Sequence, residues 1–372
     1  MTDFAAEGLL DGLDGPARDA RRALLEDLEG RGVSLEELRR AVREDSLIFL
    51  PAELAIGGLP KYTGHQVVAL TGLDAEFLTA MRRSHGLPVP DPDECAYTEA
   101  DLEGARLART FRDAGLPTED MLDITRIFGR GFAQAAEAMR TLVLKLVLEP
   151  GASEQDLALR YADAVSRLMP LTEPMLSQML RVHLRQMARG EAISAAERAS
   201  GRLPGARDVT IAFADLVGFT RVGEEVPADE LGRIAGRLAE LTTETMRPPV
   251  RLVKLIGDAV MLAAPSTQSM LDSTLDLVAA ADAEGQDFPQ LRVGVACGPA
   301  LRQAGDWYGQ PVNLASRVTG VARPGSVLAT SEVHETAEEH YRWSFAGKRR
   351  LKGIRDPVAL FRARRRDEQA PE

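Results

Sequence analysis

The sequence predicts an α+β protein in two parts, an all-α N-terminal half and a C-terminal half in which helices flank a mixed β-sheet. At 372 residues the chain is too long for one ordinary hydrophobic core. Apolar residues recur at helical spacing in the first half, whereas strands and helices alternate around a central hairpin in the second. A stretch rich in Gly, Pro and small residues separates the two patterns. We therefore expect a helical domain over residues 1–189, a linker over 190–207, an α/β domain over 208–364 and a tail over 365–372.

The composition excludes several classes of protein. There are 45 Lys and Arg residues against 56 Asp and Glu, and a net charge of −11 argues against a bulk electrostatic binder of nucleic acid or membranes. Cys95 and Cys297 are the only cysteines, so a disulfide framework is not expected and a reducing cytosol fits. No apolar run approaches the roughly 20 residues that cross a bilayer, and the acidic N-terminus lacks the basic start of a signal peptide. We expect a soluble, cytoplasmic protein.

Most of the N-terminal half is predicted to be helical. Ser34 lies three residues before Glu37, which is the spacing of a capping box at a helix start. A longer helical tract covers residues 153–190, and Pro170 and Pro174 are expected to interrupt it. The apolar, Met-rich stripe after these prolines is typical of a core or of a helix–helix interface.

From residue 64, three short helices separated by turns faintly resemble the helix-turn-helix of MerR-type regulators. Two interpretations are open, DNA binding and a helical regulatory bundle that shares the pattern. The second is favoured, because the middle helix offers only Arg82 and Arg83 as partners for phosphate.

The C-terminal half is predicted to alternate between strands and helices. A helix over residues 194–200 is expected within the linker before it. The predicted elements are a strand at 209–214, a helix at 228–245, a hairpin turning at Gly257-Asp258, a helix at 268–283, a strand at 291–296, a Gly-rich connection, a helix at 310–319, a strand at 326–330, a short helix near Val333 and two terminal strands.

Two carboxylates are predicted at the ends of neighbouring strands. Asp215 ends the apolar run IAFAD, and Asp258 lies in the hairpin turn beside Gly257. Carboxylates at this position, next to glycines that allow a backbone to approach closely, make a good site for a hard cation. An isolated Asp beside Gly is usually only a turn residue, but the surrounding motifs favour the metal site.

Further polar residues follow in spacings that suit a nucleotide. Lys254 lies four residues before Asp258, and an even offset on one strand would place both on one face of the sheet. Asn313 and Arg317 are four residues apart on a helix and share a face, which suits a clamp on phosphate and sugar. An ordinary surface pair is the alternative interpretation of such an Asn and Arg.

The motifs FADLVGFT, KLIGDAVM and GDWYGQPVNLASR resemble the catalytic domain of the class III nucleotidyl cyclases, the adenylyl and guanylyl cyclase family. They occur in the family's order and spacing, and the resemblance covers residues 208–363. It implies a cyclase-homology fold, a mixed sheet with a ferredoxin-like core. The N-terminal half more weakly resembles the helical regulatory domains of soluble mycobacterial-type adenylyl cyclases that respond to pH.

The resemblance implies roles for eight residues of this chain. The register at the phosphate position is loose, so Lys348 or Arg350 could serve there instead. Asp215 and Asp258, with the Leu216 carbonyl, hold two Mg²⁺ or Mn²⁺ ions, Lys254 and Asp306 read the purine, Asn313 orients the ribose, Arg317 stabilises the transition state, and Lys352 binds the triphosphate.

The chemistry of the purine pair favours ATP. Adenine offers an amino donor and a ring acceptor, which a carboxylate and an ammonium group can match; guanine would leave Lys254 and Asp306 mismatched, at about 1–3 kcal/mol for each unpaired group. Guanylyl cyclases of the family usually carry Glu and a small polar residue at these places. Adenylyl cyclase is therefore the leading prediction, with guanylyl cyclase as the enzymatic alternative.

The resemblance also implies a homodimer, because the family builds its site between two cyclase domains and all the required residues are present in one chain. The regulatory signal is left open. His183 is the histidine that we single out as a pH-sensing candidate, from its position before the linker. A small-molecule or lipid ligand of the N-terminal half is also open, as is a DNA-binding regulator that uses the cyclase domain only to dimerise.

Overall fold

The structure is a computed structural model, and it describes residues 2–190, 205–219, 223, 226–285 and 287–366. The chain divides into two compact units, 1–189 and 190–372, each with its own core. Of the helices in the described ranges, none is both long and apolar enough to cross a membrane. The predicted linker helix at 194–200 and most of the predicted tail lie outside the described residues.

The first unit is helical, as predicted, apart from one two-stranded ribbon. Hydroxyl and carboxylate side chains start several of its helices: Ser34 accepts from the Glu37 amide at 3.2 Å, and both Thr63 and Thr98 form complete capping boxes. The elements are α1 (Gly15–Gly30), α2 (Leu35–Arg43), α3 (Leu50–Gly57), β1 (Tyr62–Thr63), α4 (Gly64–Thr71), α5 (Ala75–Ser84), β2 (Cys95–Tyr97), α6 (Glu99–Asp113), α7 (Thr118–Val147) and α8 (Glu154–Gly190).

The three helices that resemble a helix-turn-helix are present as α4, α5 and α6, and two of their arginines, Arg82 and Arg112, are held by contacts within the unit, whereas Arg83 is exposed. Arg82 lies over the Tyr97 ring at 5.0 Å and donates to the Pro88 carbonyl at 2.9 Å. Arg112 forms an ion pair with Asp74 of the same unit, at 2.8 Å. Side chains engaged like this are poor partners for a phosphate backbone, which favours the interpretation as a helical bundle.

The expectation that Pro170 and Pro174 interrupt the helical tract is wrong. Helix α8 runs unbroken from Glu154 to Gly190 with both prolines inside it. Each proline leaves one carbonyl of the preceding turn without its amide partner. Those carbonyls belong to Ser166 and Pro170, which are both exposed, so water can satisfy them and the helix continues.

Apolar side chains of the long helices are exposed to an unusual extent. Among the residues that the structure describes, the Met-rich stripe of α8, predicted as core or interface, belongs to no hydrophobic core. Helix α7 shows a similar exposed face in its middle. The exposed apolar residues of these two helices include Ile124, Ile127, Phe128, Phe132, Leu171, Met175, Met179, Val182 and Leu184.

The second unit is a mixed sheet with helices on both faces, as predicted. Its main strand order is β4-β5-β3-β6-β8-β10-β9, with β6 and β8 parallel, the other neighbours antiparallel and β7 paired to the far end of β6. The elements are β3 (Arg207–Leu216), α9 (Ala228–Thr245), β4 (Arg251–Ile256), β5 (Ala259–Ala264), α10 (Thr267–Ala283), β6 (Leu291–Gln303), β7 (Asp306–Tyr308), α11 (Gln310–Thr319), β8 (Ser326–Thr330), α12 (Ser331–Ala337), β9 (Arg342–Arg349) and β10 (Val358–Arg364).

The alternation of β3 defines the two faces of this sheet. Ala212, Ala214 and Leu216 pack in a core with α9 and α10, whereas Ile211 and Phe213 pack in a second core with α11. The odd-numbered residues of β3 therefore lie on the face that carries α11. This assignment decides which polar side chains can meet at the end of the sheet.

The main departure from the prediction is β6, which has 13 residues instead of the six expected. The segment read as a Gly-rich connection continues the strand as far as Gln303 and then turns back as β7. Strand β6 thereby contacts β3, β8 and β7, and it becomes the centre of the sheet.

Candidate active site

The two predicted metal carboxylates lie next to each other at one end of the sheet. Asp215 is opposite Ala259 at the end of β3, and Asp258 occupies the turn between β4 and β5. The Leu216 amide donates to the Asp258 carbonyl at 3.1 Å, which fixes the turn against the end of β3. Gly257 makes the tight turn possible because it has φ +61°, a conformation that side chains disfavour.

The electrostatics of this pair suit a divalent cation. Burial raises the pKa of the Asp258 carboxyl and the neighbouring Asp215 charge raises it further, while a hydrogen bond from its own backbone amide and the charge of Arg292 oppose the shift. Two adjacent carboxylates supply the hard oxygen ligands of Mg²⁺ and Mn²⁺. Across the residues that the structure describes there is no group of three or more His, Cys, Asp or Glu at one site, so other ligands would come from water, carbonyls or substrate phosphates.

Arg292 is a residue of this site that the sequence prediction missed. It lies directly opposite Asp215 in the β3–β6 ladder, and its Nε donates to Asp215 Oδ2 at 2.7 Å. Its Nη2 contacts the same carboxylate oxygen. The sequence contains the relevant segments, RVGVA and IAFAD, and their pairing places Arg292 opposite Asp215 once the register of the two strands is known.

The two predicted purine-reading residues form an ion pair. Lys254 Nζ contacts Asp306 Oδ2, and the Trp307 amide donates to Asp306 Oδ1 at 2.8 Å. Lys254 is opposite Met261, which packs in the core beneath α11, so the lysine is on the same face of the sheet as Asp215.

The reasoning that linked Lys254 to Asp258 by an even offset is wrong. Strand β4 ends at Ile256, so Asp258 lies in the turn and not on the same strand. The register between β4 and β5 also shifts between Leu252 and Lys254. A bulge of this kind breaks the two-residue alternation on which the offset depended.

Asp306 owes its position to a two-residue turn between β6 and β7. Ala304 and Gly305 both have positive φ, +51° and +79°, as a hairpin turn with the twist of the flanking strands requires. Ala304 is one of two non-glycine residues with positive φ in the described part of the chain. The backbone is therefore locally strained in the turn that positions the Asp306 carboxylate.

Asn313 and Arg317 are on the exposed face of α11, one turn apart, as predicted. The helix packs on β6 at Gly294, where a Cβ atom would lie 2.2 Å from the Thr319 amide nitrogen. The Thr319 hydroxyl is also 3.2 Å from the Phe213 carbonyl of β3, within hydrogen-bonding distance. Close packing over a glycine therefore sets the height of the helix above the sheet.

Lys352 lies in the connection between β9 and β10 and is exposed, as are Lys348 and Arg350. Leu351 beside it is buried in the core beneath α11 and fixes the connection to the sheet. None of the three cations has a described hydrogen bond or ion pair that would single it out as the phosphate ligand.

The described geometry gives two separate groups of functional residues. Asp215, Asp258 and Arg292 form one, and the Lys254–Asp306 ion pair forms another. In the ranges that the structure describes, no hydrogen bond or ion pair connects the side chains of Asn313, Arg317 or Lys352 to either group. The roles predicted for these residues are metal, purine and phosphate recognition.

Comparison with known proteins covers both units. Residues 2–188 match the adenylate cyclase regulatory domain, and residues 203–362 match the adenylate and guanylate cyclase catalytic domain. The chain is 44% identical to the pH-sensitive adenylate cyclase MT1302 of Mycobacterium tuberculosis (strain CDC 1551 / Oshkosh), over 98% of this chain and 95% of that protein. It is 29% identical to the uncharacterized protein Rv2212 of M. tuberculosis (strain ATCC 25618 / H37Rv), over 98% of this chain and 99% of that protein. It is 30% identical to an adenylate cyclase of Streptomyces griseus, over 77% of this chain and 70% of that protein.

Proposed function

Because the chain belongs to the adenylate cyclases that join a regulatory domain to an adenylate and guanylate cyclase catalytic domain, we propose that it converts ATP to 3′,5′-cyclic AMP and pyrophosphate. The observation that most supports ATP is the ion pair between Lys254 and Asp306. An ammonium group can donate to the adenine ring nitrogen while a carboxylate accepts from the 6-amino group. Guanine reverses this donor and acceptor pattern, so the pair disfavours GTP.

Asp215 and Asp258, with the Leu216 carbonyl, are the residues that would hold Mg²⁺ or Mn²⁺. When bound, a pair of such ions lowers the pKa of the ribose 3′-hydroxyl and neutralises charge on the phosphates. The chain's contribution is to present both carboxylates at one end of the sheet, on the same side as the purine pair. The raised pKa of Asp258 means that its charged form is destabilised in the protein, and a bound cation would offset this by stabilising the carboxylate.

The reaction is an in-line attack of the ribose 3′-oxygen on the α-phosphorus, with pyrophosphate as the leaving group. Asn313 orients the ribose, and Arg317 offers a fixed positive charge for the developing charge on the phosphorus centre. Lys352 binds the triphosphate from the connection between β9 and β10. The rigid seat of α11 on Gly294 supports these roles, because it holds both side chains at a constant height.

The catalytic site is proposed to form between two copies of the chain. Asn313 and Arg317 are exposed and share no described side-chain hydrogen bond or ion pair with the carboxylates, as expected if each copy supplies half of each site. Leu255, Ile256 and Tyr308, beside the purine pair, are 52%, 46% and 55% exposed. Large apolar side chains next to a polar site are typical of an interface.

The N-terminal unit is proposed to regulate the catalytic unit, with pH as the signal suggested by the name of the relative that is 44% identical. His183 is exposed on α8, so the positive charge that it gains on protonation can interact with a neighbouring protein surface. If a His183→Ala protein keeps the pH–activity profile of the parent, this histidine is not the sensor.

A ligand of the regulatory unit has a place to bind. A cavity of about 330 Å³ lies between α5, α6 and α7, with Phe77, Leu107 and Phe111 among its apolar walls and Arg82 at one side. Apolar walls with a few polar groups, here Arg82, His85 and Asp101, suit a small amphipathic molecule or a lipid. A Leu107→Arg variant should lose any thermal stabilisation that fatty acids or detergents give the parent, and equal stabilisation of both would exclude this cavity.

Two experiments test the catalytic proposal. The first measures cyclic AMP and cyclic GMP formed by the full chain with Mn²⁺ and either ATP or GTP, and ATP should be the better substrate by at least about tenfold. The second mixes Asp215→Asn and Arg317→Ala proteins, each inactive alone. Activity should return on mixing, because one mixed dimer contains one intact site. No recovery, with both variants folded and exchanging partners, would contradict the shared site.

A further inference from the structure

The last two strands of the sheet carry a concentration of positive charge that is unusual for this chain. Residues 342–366 contain ten Lys and Arg residues and one acidic residue, Asp356, although the whole chain has a net charge of −11. The segment consists of β9, β10 and their connection. At the end of the strands away from that connection lie Arg342, Arg362 and Arg364, which we call the arginine group.

Strand pairing places two members of the arginine group in one row with Asp215. On β3, Asp215 is opposite Arg292 of β6, which is beside Ser326 at the start of β8. The pairing of β10 with β8 extends to the residue after Ser326, so Arg364 is level with Ser326. Arg342 of β9 is directly opposite Arg364. Neighbouring strands are about 4.8 Å apart, so Arg364 lies about 14 Å and Arg342 about 19 Å along the row from Asp215.

The arginine group is also on the same face of the sheet as Asp215. Ala363 of β10 packs in the core with α9 and α10, so its neighbours Arg362 and Arg364 lie on the opposite face, which carries α11. Arg342 shares this face because it is directly opposite Arg364. Asp215 is an odd-numbered residue of β3 and lies there too. The positive charges therefore border the proposed active site from one side.

Packing does not explain why these arginines are neighbours. Like charges directly opposite each other on paired strands are destabilising. Arg342 is exposed and Arg364 is partly exposed. Within the described ranges no hydrogen bond or ion pair holds the Arg364 guanidinium, whereas the next residue, Arg365, forms an ion pair with Asp276 on the other side of the sheet. The charge of Arg364 is therefore available to act at a distance.

The distances decide when such charges can act on a nucleotide. Fields between exposed charges reach about 30 Å at an ionic strength of about 0.01 M, but only about 3 Å at about 1 M. Charges about 14–19 Å from Asp215 therefore attract a triphosphate at low salt and lose this effect at high salt. A positive surface beside a site raises the association rate of an anionic substrate, which the net negative charge of the chain would otherwise lower.

We propose that the arginine group is a capture surface, which draws the triphosphate of ATP towards Asp215 and Asp258 and so raises the rate of association. This inference rests on the proposed function, because it takes the substrate and the place of the site from there. The group acts through its electric field and not through contact with the reacting atoms. It therefore contributes to kcat/KM and leaves kcat unchanged.

The dependence of kcat/KM on salt distinguishes a field from a contact. We would measure cyclic AMP formation by the full chain across a range of ATP concentrations, at ionic strengths of about 0.02 M and about 0.5 M. The double variant Arg342→Gln/Arg364→Gln should lower kcat/KM about two- to fivefold at the lower ionic strength and leave it unchanged at the higher one. Changing both residues to Glu doubles the change in charge, so the loss should be about the square of that factor.

Two further variants test whether charge and position are the cause. Arg342→Lys/Arg364→Lys keeps both charges and should stay within about 1.5-fold of the parent at every ionic strength. Arg233→Gln removes an exposed arginine of α9, on the opposite face of the sheet, where it pairs with Glu230 at 3.7 Å. This change should leave kcat/KM and its salt dependence as they are in the parent.

The outcomes separate this inference from the proposed function. Equal kcat/KM of the parent and the Gln variant at low ionic strength overturns the capture surface and leaves the cyclase activity standing. A loss that persists at high salt, that appears in kcat or that the Lys variant shares also overturns it, because a structural or contact role would then be the cause. If the parent forms no cyclic AMP, the proposed function fails and the inference fails with it.

Discussion

A Gly294→Ala substitution tests whether the packing of α11 on the sheet sets the activity. A Cβ atom at position 294 would be 2.2 Å from the Thr319 amide nitrogen and 2.5 Å from the Ala315 carbonyl oxygen. Both obstacles are backbone atoms of α11, so no rotation of a side chain can relieve the contact. The helix itself has to move away from the sheet.

The size of this movement follows from the contact distances. Non-bonded contacts to a carbon atom are free of repulsion from about 3.5 Å, so α11 must move away from the sheet by about 1 Å. Overpacking of this kind costs about 1–3 kcal/mol of stability. A displacement of about 1 Å in a catalytic group can cost about 100-fold in rate, and Asn313 and Arg317 both move with the helix. We therefore expect kcat for cyclic AMP formation to fall about 100-fold.

The assay compares initial rates with circular dichroism and thermal unfolding of the same preparations. The matched control is Gly236→Ala on α9, where a Cβ atom meets nothing within 4 Å, and it should keep the activity and slightly raise the stability. A folded Gly294→Ala protein with the parent's kcat would refute the reasoning. So would a loss of rate that matches only the fraction of unfolded protein.

Three further predictions concern single side chains. Lys254→Glu should lower kcat/KM for ATP by about 10- to 100-fold and narrow the preference for ATP over GTP, because the ammonium donor to the adenine ring is lost. An unchanged ratio of ATP to GTP turnover would show that Lys254 does not contribute to purine recognition. Burial raises the pKa of the Cys297 thiol to about 11, so a thiol reagent near neutral pH should modify the exposed Cys95 much faster than Cys297. The free energy of unfolding should also fall as the pH rises from about 8.5 towards 11, because in this range the thiol loses its proton in the unfolded chain but keeps it in the folded one. Equal labelling rates would contradict that burial. Ala304→Gly should raise the free energy of unfolding by about 0.5–1 kcal/mol, since it removes the strain of φ +51°, and a lower denaturant midpoint would show that the alanine is not strained.

The sequence predicted those parts of the fold that depend on local periodicity. Helix α11 at Gln310–Thr319 and strand β8 at Ser326–Thr330 have the predicted bounds, because apolar spacing and turn residues mark both ends of each. The interruption of α8 at Pro170 was wrong, since local propensity does not record that the freed carbonyls face water. The exposure of the α8 stripe could not be predicted either, because a pattern shows that a face is apolar but not what covers it.

The site shows the same division between local and long-range information. The structure brings Asp215 near Asp258 and Lys254 near Asp306, the two pairs that the motifs grouped by their predicted roles. Arg292 was missed because its importance depends on the register between β3 and β6, which are separated by about 75 residues in the chain.

Strand β6 connects the parts of the site in a way that its sequence does not show. Near its start Arg292 contacts Asp215, and two residues later Gly294 packs against α11, the helix that carries Asn313 and Arg317. At the far end of β6, Gln303 leads into the turn that positions Asp306. All three contacts come from one continuous element, and central strands resist local distortion because both edges are paired. A displacement of β6 relative to β3 would therefore alter metal, phosphate and purine recognition together. Single substitutions along β6 should for this reason affect several kinetic constants at once, whereas Lys352, on its separate connection, should affect triphosphate binding alone.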